Sequence, residues 1–305
     1  MSLHLAFIID PLPSLKRGHD TSLAFMDEAQ KRGHEIHYCE IGDLSARDGK
    51  LLLNTRIYGK EGKSERRPDS HFNLILMRKD PPVDRAYLDA TYFLDLSKVP
   101  VWNSPSGLRE ASEKMFSQRF PGIFPETLVS QNKEELLAFL SEMGGKMVVK
   151  PVDGFAGKGV FAVSADDANR SAILETLTSE WRRPVMAQRF LPEVKEGDRR
   201  IILLDGEPMG VLVRLPAEGE FRANMAAGGK TKRGEVSASD RKLIAAIKPA
   251  LLEWGLHFVG LDVIGNYVTE INVTSPTGLI EIAQYDGVNL AGRVVDLWEK
   301  TLGGR

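Results

Sequence analysis

An apolar hairpin with two carboxylates and an amide inside it holds the residues of this sequence best suited to chemistry. The run Phe258-Val259-Gly260-Leu261-Asp262-Val263-Ile264-Gly265-Asn266-Tyr267-Val268-Thr269-Glu270-Ile271-Asn272-Val273 carries Asp262, Glu270 and Asn272. Carboxylates seldom sit in strands this apolar unless they are paired or bind a metal. Oxygen ligands on a rigid element suit Mg²⁺, which keeps some waters and takes the rest of its shell from carboxylates and substrate phosphates. Glu270 and Asn272 are two apart and share a face. A two-residue turn at Gly265-Asn266 would set Asp262 opposite Thr269, on the other face from Glu270, so a bulge or three-residue loop is expected at Gly265 to Tyr267. A polar patch closing a sheet is the alternative that needs no ion.

A second group lies upstream. In Asp153-Gly154-Phe155-Ala156-Gly157-Lys158-Gly159 the glycines let backbone N–H groups approach a phosphate, and Lys158 adds charge. The run is neither a P-loop, since Val152 stands where glycine is required, nor a dinucleotide fingerprint, since a strand follows it. A plain glycine hairpin is the competing reading. Lys150 ends the strand just before this turn, within reach of a phosphate under the glycines, and Lys114 can approach from the other side. Arg199, Arg200 and Arg214 lie on or near strands of one later unit, where a guanidinium can bind a carboxylate or steady phosphoryl charge. Leu215 to Lys232 is long and rich in glycine, as a mobile lid or an ordinary surface loop would be.

The elements that must position these groups follow from periodicity. Leu3 to Ile9 reads as a strand buried on both faces, Thr21 to Arg32 as a helix and Glu35 to Glu40 as a second strand, a right-handed βαβ unit. Phe72 to Met77 and Val99 to Trp102 add strands, Tyr87 to Leu96 a helix, and Ser104-Pro105-Ser106 opens a helix expected to carry Lys114 and Phe116. Pro121 to Pro125 is an exposed turn and a candidate linker. A small α+β module comes next, with strands at Thr127, Lys146 to Lys150, Val160 to Val163 and Val185 to Gln188 around a helix at Lys133 to Glu142. Strands at Arg199 to Leu204, Pro208 to Arg214, Phe258 to Ile264 and Tyr267 to Val273 then dominate, with helices at Ser239 to Trp254 and Asn289 to Leu302. The expected architecture is a parallel-sheet α/β domain over 1–120, a central subdomain over 121–188 and a C-terminal domain over 189–305.

Bulk properties narrow the class. Forty basic and forty-two acidic residues give a formal charge of −2, without a general attraction to nucleic acid or anionic membrane, so a bound anion must be met locally. The single cysteine, Cys39, excludes an intramolecular disulfide framework and suits a reducing cytoplasm. No run of about 18 apolar residues is present for a membrane span. The histidines (His4, His19, His34, His37, His71, His257) lie scattered along the chain and form no triad.

A strand-terminal lysine, a glycine-rich strand-to-strand loop and a D-x7-E-x-N hairpin, in that order after an α/β domain, resemble the ATP-grasp superfamily. Ile9-Asp10-Pro11, Met77-Arg78-Lys79-Asp80-Pro81-Pro82, Pro125-Glu126-Thr127-Leu128-Val129, Ala226-Ala227-Gly228-Gly229, Val259-Gly260-Leu261-Asp262 and Thr269-Glu270-Ile271-Asn272-Val273-Thr274-Ser275-Pro276-Thr277 resemble bacterial glutathione synthetases, over nearly the whole chain. The resemblance implies an ATP-grasp fold and ligation of γ-glutamylcysteine to glycine through an acyl phosphate, with ATP and Mg²⁺ (Mn²⁺ as the alternative ion), in a cytoplasmic homotetramer.

By matching positions it implies that Lys114 and Lys150 hold phosphates under Asp153, Gly154, Gly157, Lys158 and Gly159. Gln188, Arg189, Phe190 and Leu191 belong to an adenine hinge, and Asp198 is the ribose-side acid. Asp262, Glu270 and Asn272 carry the metal. Arg200 and Arg214 act at the reacting carboxylate, and Arg222, Asn224, Ser275 and Thr277 face the peptide. Phe155-Ala156-Gly157-Lys158-Gly159 departs from the commoner Met-Gly-Gly run of the family, and Ile57 to Ser70 has no assigned role. Two rivals share these residues: an ATP-grasp ligase for other amino acids, and a nucleotide-binding protein without turnover.

Overall fold

The computed structural model describes residues 2–112, 114–154, 157–223 and 229–303. The first sheet is built from β1 (His4–Ile8), β2 (Glu35–Cys39), β3 (Leu44–Arg47), β4 (Lys50–Ile57), β5 (Glu65–Pro68), β6 (Leu74–Met77) and β7 (Val101–Trp102), in the order β3-β4-β2-β1-β6-β7 with β5 on β4. Its centre is parallel, as the βαβ reading requires, and β3, β4 and β5 are antiparallel. The segment left without a role, 57–70, supplies β5 and part of this antiparallel edge. The helix α1 (Thr21–Lys31) links β1 to β2 and starts where the Asp20 carboxylate accepts from the Leu23 N–H at 2.9 Å.

The helices α2 (Arg85–Leu94) and α3 (Pro105–Glu110) precede the second sheet. The α-helix expected to carry Lys114 ends at Glu110; Lys114 instead opens a 3-10 turn, Met115–Arg119. The Pro121 to Pro125 turn is exposed only at Pro121 and Gly122: Phe124 and Pro125 are buried, and the Ile123 carbonyl accepts from the Val268 N–H at 3.0 Å. The second sheet is antiparallel, β10-β9-β11-β8, from β8 (Thr127–Ser130), β9 (Lys146–Pro151), β10 (Phe161–Ser164) and β11 (Val185–Arg189). With α4 (Lys133–Glu142) and α5 (Arg170–Leu177) it encloses its own core around Leu136, Leu140, Met147, Val149 and Leu174.

The third sheet, β14-β13-β12-β15-β16, contains β12 (Asp198–Leu204), β13 (Glu207–Leu215), β14 (Lys230–Arg233), β15 (Phe258–Ile264) and β16 (Tyr267–Asn272). The end of the expected lid is thus a strand, paired to β13, and 216–229 connects the two strands, with 224–228, including most of the Ala226–Gly229 motif, outside the described residues. The helices α6 (Ala238–Glu253), α7 (Leu279–Asp286) and α8 (Leu290–Leu302) complete the chain.

The first and third sheets share their cores. Alternate residues of β1 enter two different clusters: Leu5 and Phe7 pack with Trp298 of α8 and Ile282 of α7, Ala6 and Ile8 with the cluster that holds Leu261 of β15 and Ile247 of α6. Asn103 joins the two sheets, its Nδ2 donating to the carbonyls of Phe258 and Val273 at 2.8 and 2.7 Å while its Oδ1 accepts from the Phe258 N–H at 2.9 Å. No helix among the described residues is long and apolar enough to cross a membrane.

Candidate functional site

Strand register gathers the polar groups on one face of the third sheet. β12 lies between β13 and β15, with Asp198 opposite Arg214 and Arg200 opposite Asp262. Asp198 and Arg200 are two apart, so all four side chains share a face, while Arg199 turns to the other and bonds Asp240 and the Gly265 carbonyl.

The hairpin β15–β16 places its acids by a device in an unexpected position. Gly265-Asn266 is a two-residue turn, with Ile264 opposite Tyr267 and Val263 opposite Val268. The bulge expected at Gly265 to Tyr267 lies further on: Thr269 is the extra residue, and beyond it Asp262 stands opposite Glu270 and Gly260 opposite Asn272. Asp262, Glu270 and Asn272 therefore share the face of Arg200 and Arg214. The bulge also frees the Thr269 carbonyl, which accepts from Lys150 Nζ at 3.2 Å.

The charges on this face are closely matched. Arg200 grips Asp262 through Nε and Nη2, the latter at 3.1 Å, and donates from Nη1 to the Thr277 carbonyl at 3.0 Å. Arg214 bonds Asp262 at 2.9 Å and also Asp198. Burial alone would push the Asp262 carboxyl up, but the two guanidiniums hold it well below the usual range. Asp198 behaves oppositely: burial and the Asp262 charge raise it to about 6 against the pull of Arg214 and Arg200. Burial lowers Arg214, and the two carboxylates more than reverse this, so its pKa lies above the ordinary value. Asp198 Oδ1 and Arg214 Nε are buried with no hydrogen-bond partner among the described residues, which marks a place where a ligand can complete the network.

Two lysines face this sheet from outside it. Lys150, at the end of β9, and Lys114 are both buried, 3.5 and 3.9 Å from Glu270 Oε1. Burial lowers the Lys150 pKa, with Glu270 opposing the shift. Lys114 also bonds the Gly154 carbonyl, which brings the glycine turn over the carboxylates. Gly157 and Gly159 have φ of +73° and +71°, a conformation natural to glycine. Asp153 and Lys158 are exposed, and Asp153 points toward Arg183 at 4.0 Å. Phe155 and Ala156 lie outside the described residues.

Between the second and third sheets opens a cleft of about 810 Å³, its mouth included, lined by the charged groups of Lys150, Asp198, Arg214, Asp262 and Glu270. Val148, Val160, Phe190, Leu191, Val194 and Ile264 supply apolar lining. Gln188 and Arg189 also line it; Gln188 Nε2 donates to Thr127 Oγ1 at 3.0 Å, and Arg189 pairs with Glu126 over the Tyr267 ring. Phe221, Arg222 and Ala223 of loop 216–229 close one side, and Arg222 Nη1 donates to the Gly157 carbonyl at 3.2 Å. Asn224 lies outside the described residues. Ser275 is buried and hydrogen-bonds Asp80, while Thr277 reaches the site through its carbonyl.

The apolar lining from Val148, Val160, Val194 and Ile264 was not foreseen as site residues; such positions read as ordinary core until two sheets face each other across a gap. Arg78 belongs to the Met77–Pro82 motif. It is buried on the rings of Phe25 and Phe258, bonding Ser22 and the Pro276 carbonyl just ahead of Thr277.

The donors suit a hard divalent cation. Asn272 spends its Nδ2 on the Gly260 carbonyl at 3.2 Å, which leaves Oδ1 as an acceptor beside Glu270. Three of the roughly four lone-pair sites of Asp262 take guanidinium bonds, so one is left for an ion. Among the described residues, four buried cations (Lys114, Lys150, Arg200, Arg214) face three carboxylates (Asp198, Asp262, Glu270), a local excess of positive charge in a chain of formal charge −2.

Known proteins of two kinds resemble this chain. The family description "Prokaryotic glutathione synthetase, N-terminal domain" matches residues 3–109, and "Prokaryotic glutathione synthetase, ATP-grasp domain" matches residues 113–287. The glutathione synthetase of Synechococcus elongatus is 45% identical, over 96% of this chain and 97% of its own length. That of Vibrio parahaemolyticus is 42% identical, over 99% of each. Among solved structures, D-cycloserine synthetase DcsG superposes with a TM-score of 0.68 at 16% identity, over 97% of this chain and 99% of its own. The ATP-grasp ligase PsnB, complexed with a precursor peptide and AMPPNP, gives 0.64 at 17%, over 98% of each. The structures establish the fold and the relatives the family: this chain belongs to the prokaryotic glutathione synthetases, ATP-dependent C–N ligases of the ATP-grasp fold.

Proposed function

We propose that the cleft joins γ-glutamylcysteine and glycine through an acyl phosphate, giving glutathione, ADP and phosphate. The carrying observation is the opposition of buried Lys150 and Lys114 to Glu270 across the cleft, beside the Asp262–Arg200–Arg214–Asp198 network. The apolar lining suits an adenine, with the backbone from Gln188 to Leu191 along its edge, and Asp198 Oδ1 suits a ribose hydroxyl. Lys150, Lys114 and the loop 153–159 then meet the phosphates. Glu270, Asn272 and the spare lone pair of Asp262 would hold Mg²⁺, or Mn²⁺ in its place; the bound ion neutralises phosphate charge.

Phosphoryl transfer asks the protein for positioning and charge more than for a nucleophile. Arg214 Nε is a spare donor on the guanidinium that bonds Asp262, and we assign it to the oxygen on which charge develops. Arg200, engaged with Asp262 and the Thr277 carbonyl, holds the Ser275–Thr277 segment against the substrate peptide. Arg222, tied to Gly157, joins loop 216–229 to the phosphate loop and helps exclude the water that would hydrolyse an acyl phosphate.

Phosphate release from ATP, measured with a panel of dipeptide and amino-acid pairs, tests the assignment. Release is expected to require γ-glutamylcysteine and glycine together. Release that another pair supports equally well would transfer the reading to a different ATP-grasp ligase, and nucleotide binding without release to a non-catalytic one. We place the reaction in the cytoplasm, as the single buried Cys39 suits, and the chain in a homotetramer by family resemblance, which sedimentation velocity would test.

A further inference from the structure

Three of the six histidines, scattered in sequence, meet at one end of the first sheet, and none lines the cleft. His4 opens β1 and stands opposite Glu35, which opens β2; His37 is two residues on, on the same face. His71 ends the 3-10 turn Asp69–His71 that leads into β6. One ligand atom from each of His4, Glu35, His37 and His71 falls within 4.8 Å of all the others. We propose that these four residues form a structural Zn²⁺ site that fastens β1, β2 and the turn before β6.

Spacing supports the assignment. A tetrahedron with metal–ligand bonds of about 2.0–2.1 Å has edges of about 3.3–3.4 Å. His4 Nδ1 lies 3.4 Å from His71 Nε2 and 3.6 Å from Glu35 Oε1, and His37 Nε2 lies 2.8 Å from the same oxygen. These contacts need a proton or a cation between them, since two lone pairs at such distances repel. Imidazole nitrogens select zinc over Mg²⁺ or Ca²⁺, which take oxygen ligands.

The surroundings orient the ligands. His37 Nδ1 meets Thr55 Oγ1 at 3.2 Å, and a hydroxyl can donate or accept, so it can support the tautomer that leaves Nε2 for a metal. Phe72 packs edge-on against the rings of His37 and His71 at 5.2 and 5.0 Å. The opposing charges are Lys60, 3.9 Å from Glu35 Oε2 and largely exposed, and Arg67. Zinc displaces the protons held in these contacts, so binding releases protons and weakens as pH falls.

The test uses the full chain, stripped with a chelator and titrated with Zn²⁺ against a chromophoric competitor in excess Mg²⁺. One tight zinc per chain is expected, with a rise in Tm, and a tetrahedral visible spectrum when Co²⁺ replaces zinc. His4→Ala and His71→Ala, at partly exposed positions, should lose that zinc yet keep ligase activity. Thr55→Val should weaken binding by about 10- to 100-fold. Should the histidine variants bind zinc as the parent does, or should Mg²⁺ displace the parent's zinc, the proposal is overturned.

Discussion

Replacing Asp262 by Asn would leave Arg200 and Arg214 buried with only Asp198 to balance them. Removing one partner of a buried charged pair costs about 3 kcal/mol or more, so Asp262→Asn should lower the urea midpoint clearly, besides abolishing Mg²⁺-dependent phosphate release. Asp198 invites the opposite experiment. Its folded pKa, about 6, lies above the unfolded value near 3.9, so between about pH 6 and 4 the folded state binds the extra proton and this group adds stability as pH falls. Asp262, held low, contributes stability that is present above its unfolded pKa and lost only as pH falls through its folded one. Asp198→Asn should therefore raise Tm at pH 8, flatten the Tm profile between pH 4 and 6, and weaken ATP binding. A Tm at pH 8 below that of the parent would show that the Asp198–Arg214 bond outweighs the burial of the charge.

At the scale of elements, the third sheet can hold six polar side chains on one face because its back is sealed by α6 through Ile244, Ile247 and Leu251. Gly260 shows how tightly that face is drawn. It stands opposite Asn272, and a Cβ there would lie 2.9 Å from Pro276 Cβ and 3.2 Å from Arg200 Cδ. Gly260→Ala touches no substrate in the proposed arrangement, yet must shift Pro276 and press on Arg200 where it holds Asp262. We expect kcat to fall roughly 10-fold with the KM for ATP little changed, as a displacement of catalytic groups by a fraction of an ångström would cause. Unaltered kcat would show that Arg200 is not a positioning residue.

For the whole molecule, the decisive fact is that the first and third sheets share cores while the second encloses its own. Trp298, near the chain end, is fully buried against Phe7 and Phe25. Trp298→Ala should cost about 4 kcal/mol and destabilise the N-terminal sheet, although the residue lies on the last helix. Calorimetry should then show one transition for the first and third sheets moving down together. We propose that the central unit unfolds apart from them, and hydrogen exchange that leaves β9 and β11 protected when Trp298 is replaced would support this.

Local spacing and composition carried a good deal of this protein. The strand–helix–strand opening and the alternation in β12, β13, β15 and β16 follow from periods of 3.6 and 2 that depend on nearest neighbours alone. Glu270 and Asn272 share a face for the same reason. That Asp262 joins them needed an irregularity, and parity required one somewhere. Parity cannot say where, because a bulge is chosen by the whole sheet; tertiary structure put it at Thr269, whose freed carbonyl meets Lys150. Other features were decided by the fold alone: Lys114 reaching Glu270 from a 3-10 turn, the apolar lining of the cleft, and the meeting of His4, His37 and His71. Each joins segments far apart in the chain, and which of them meet is set by sheet order and packing rather than by residue type or spacing.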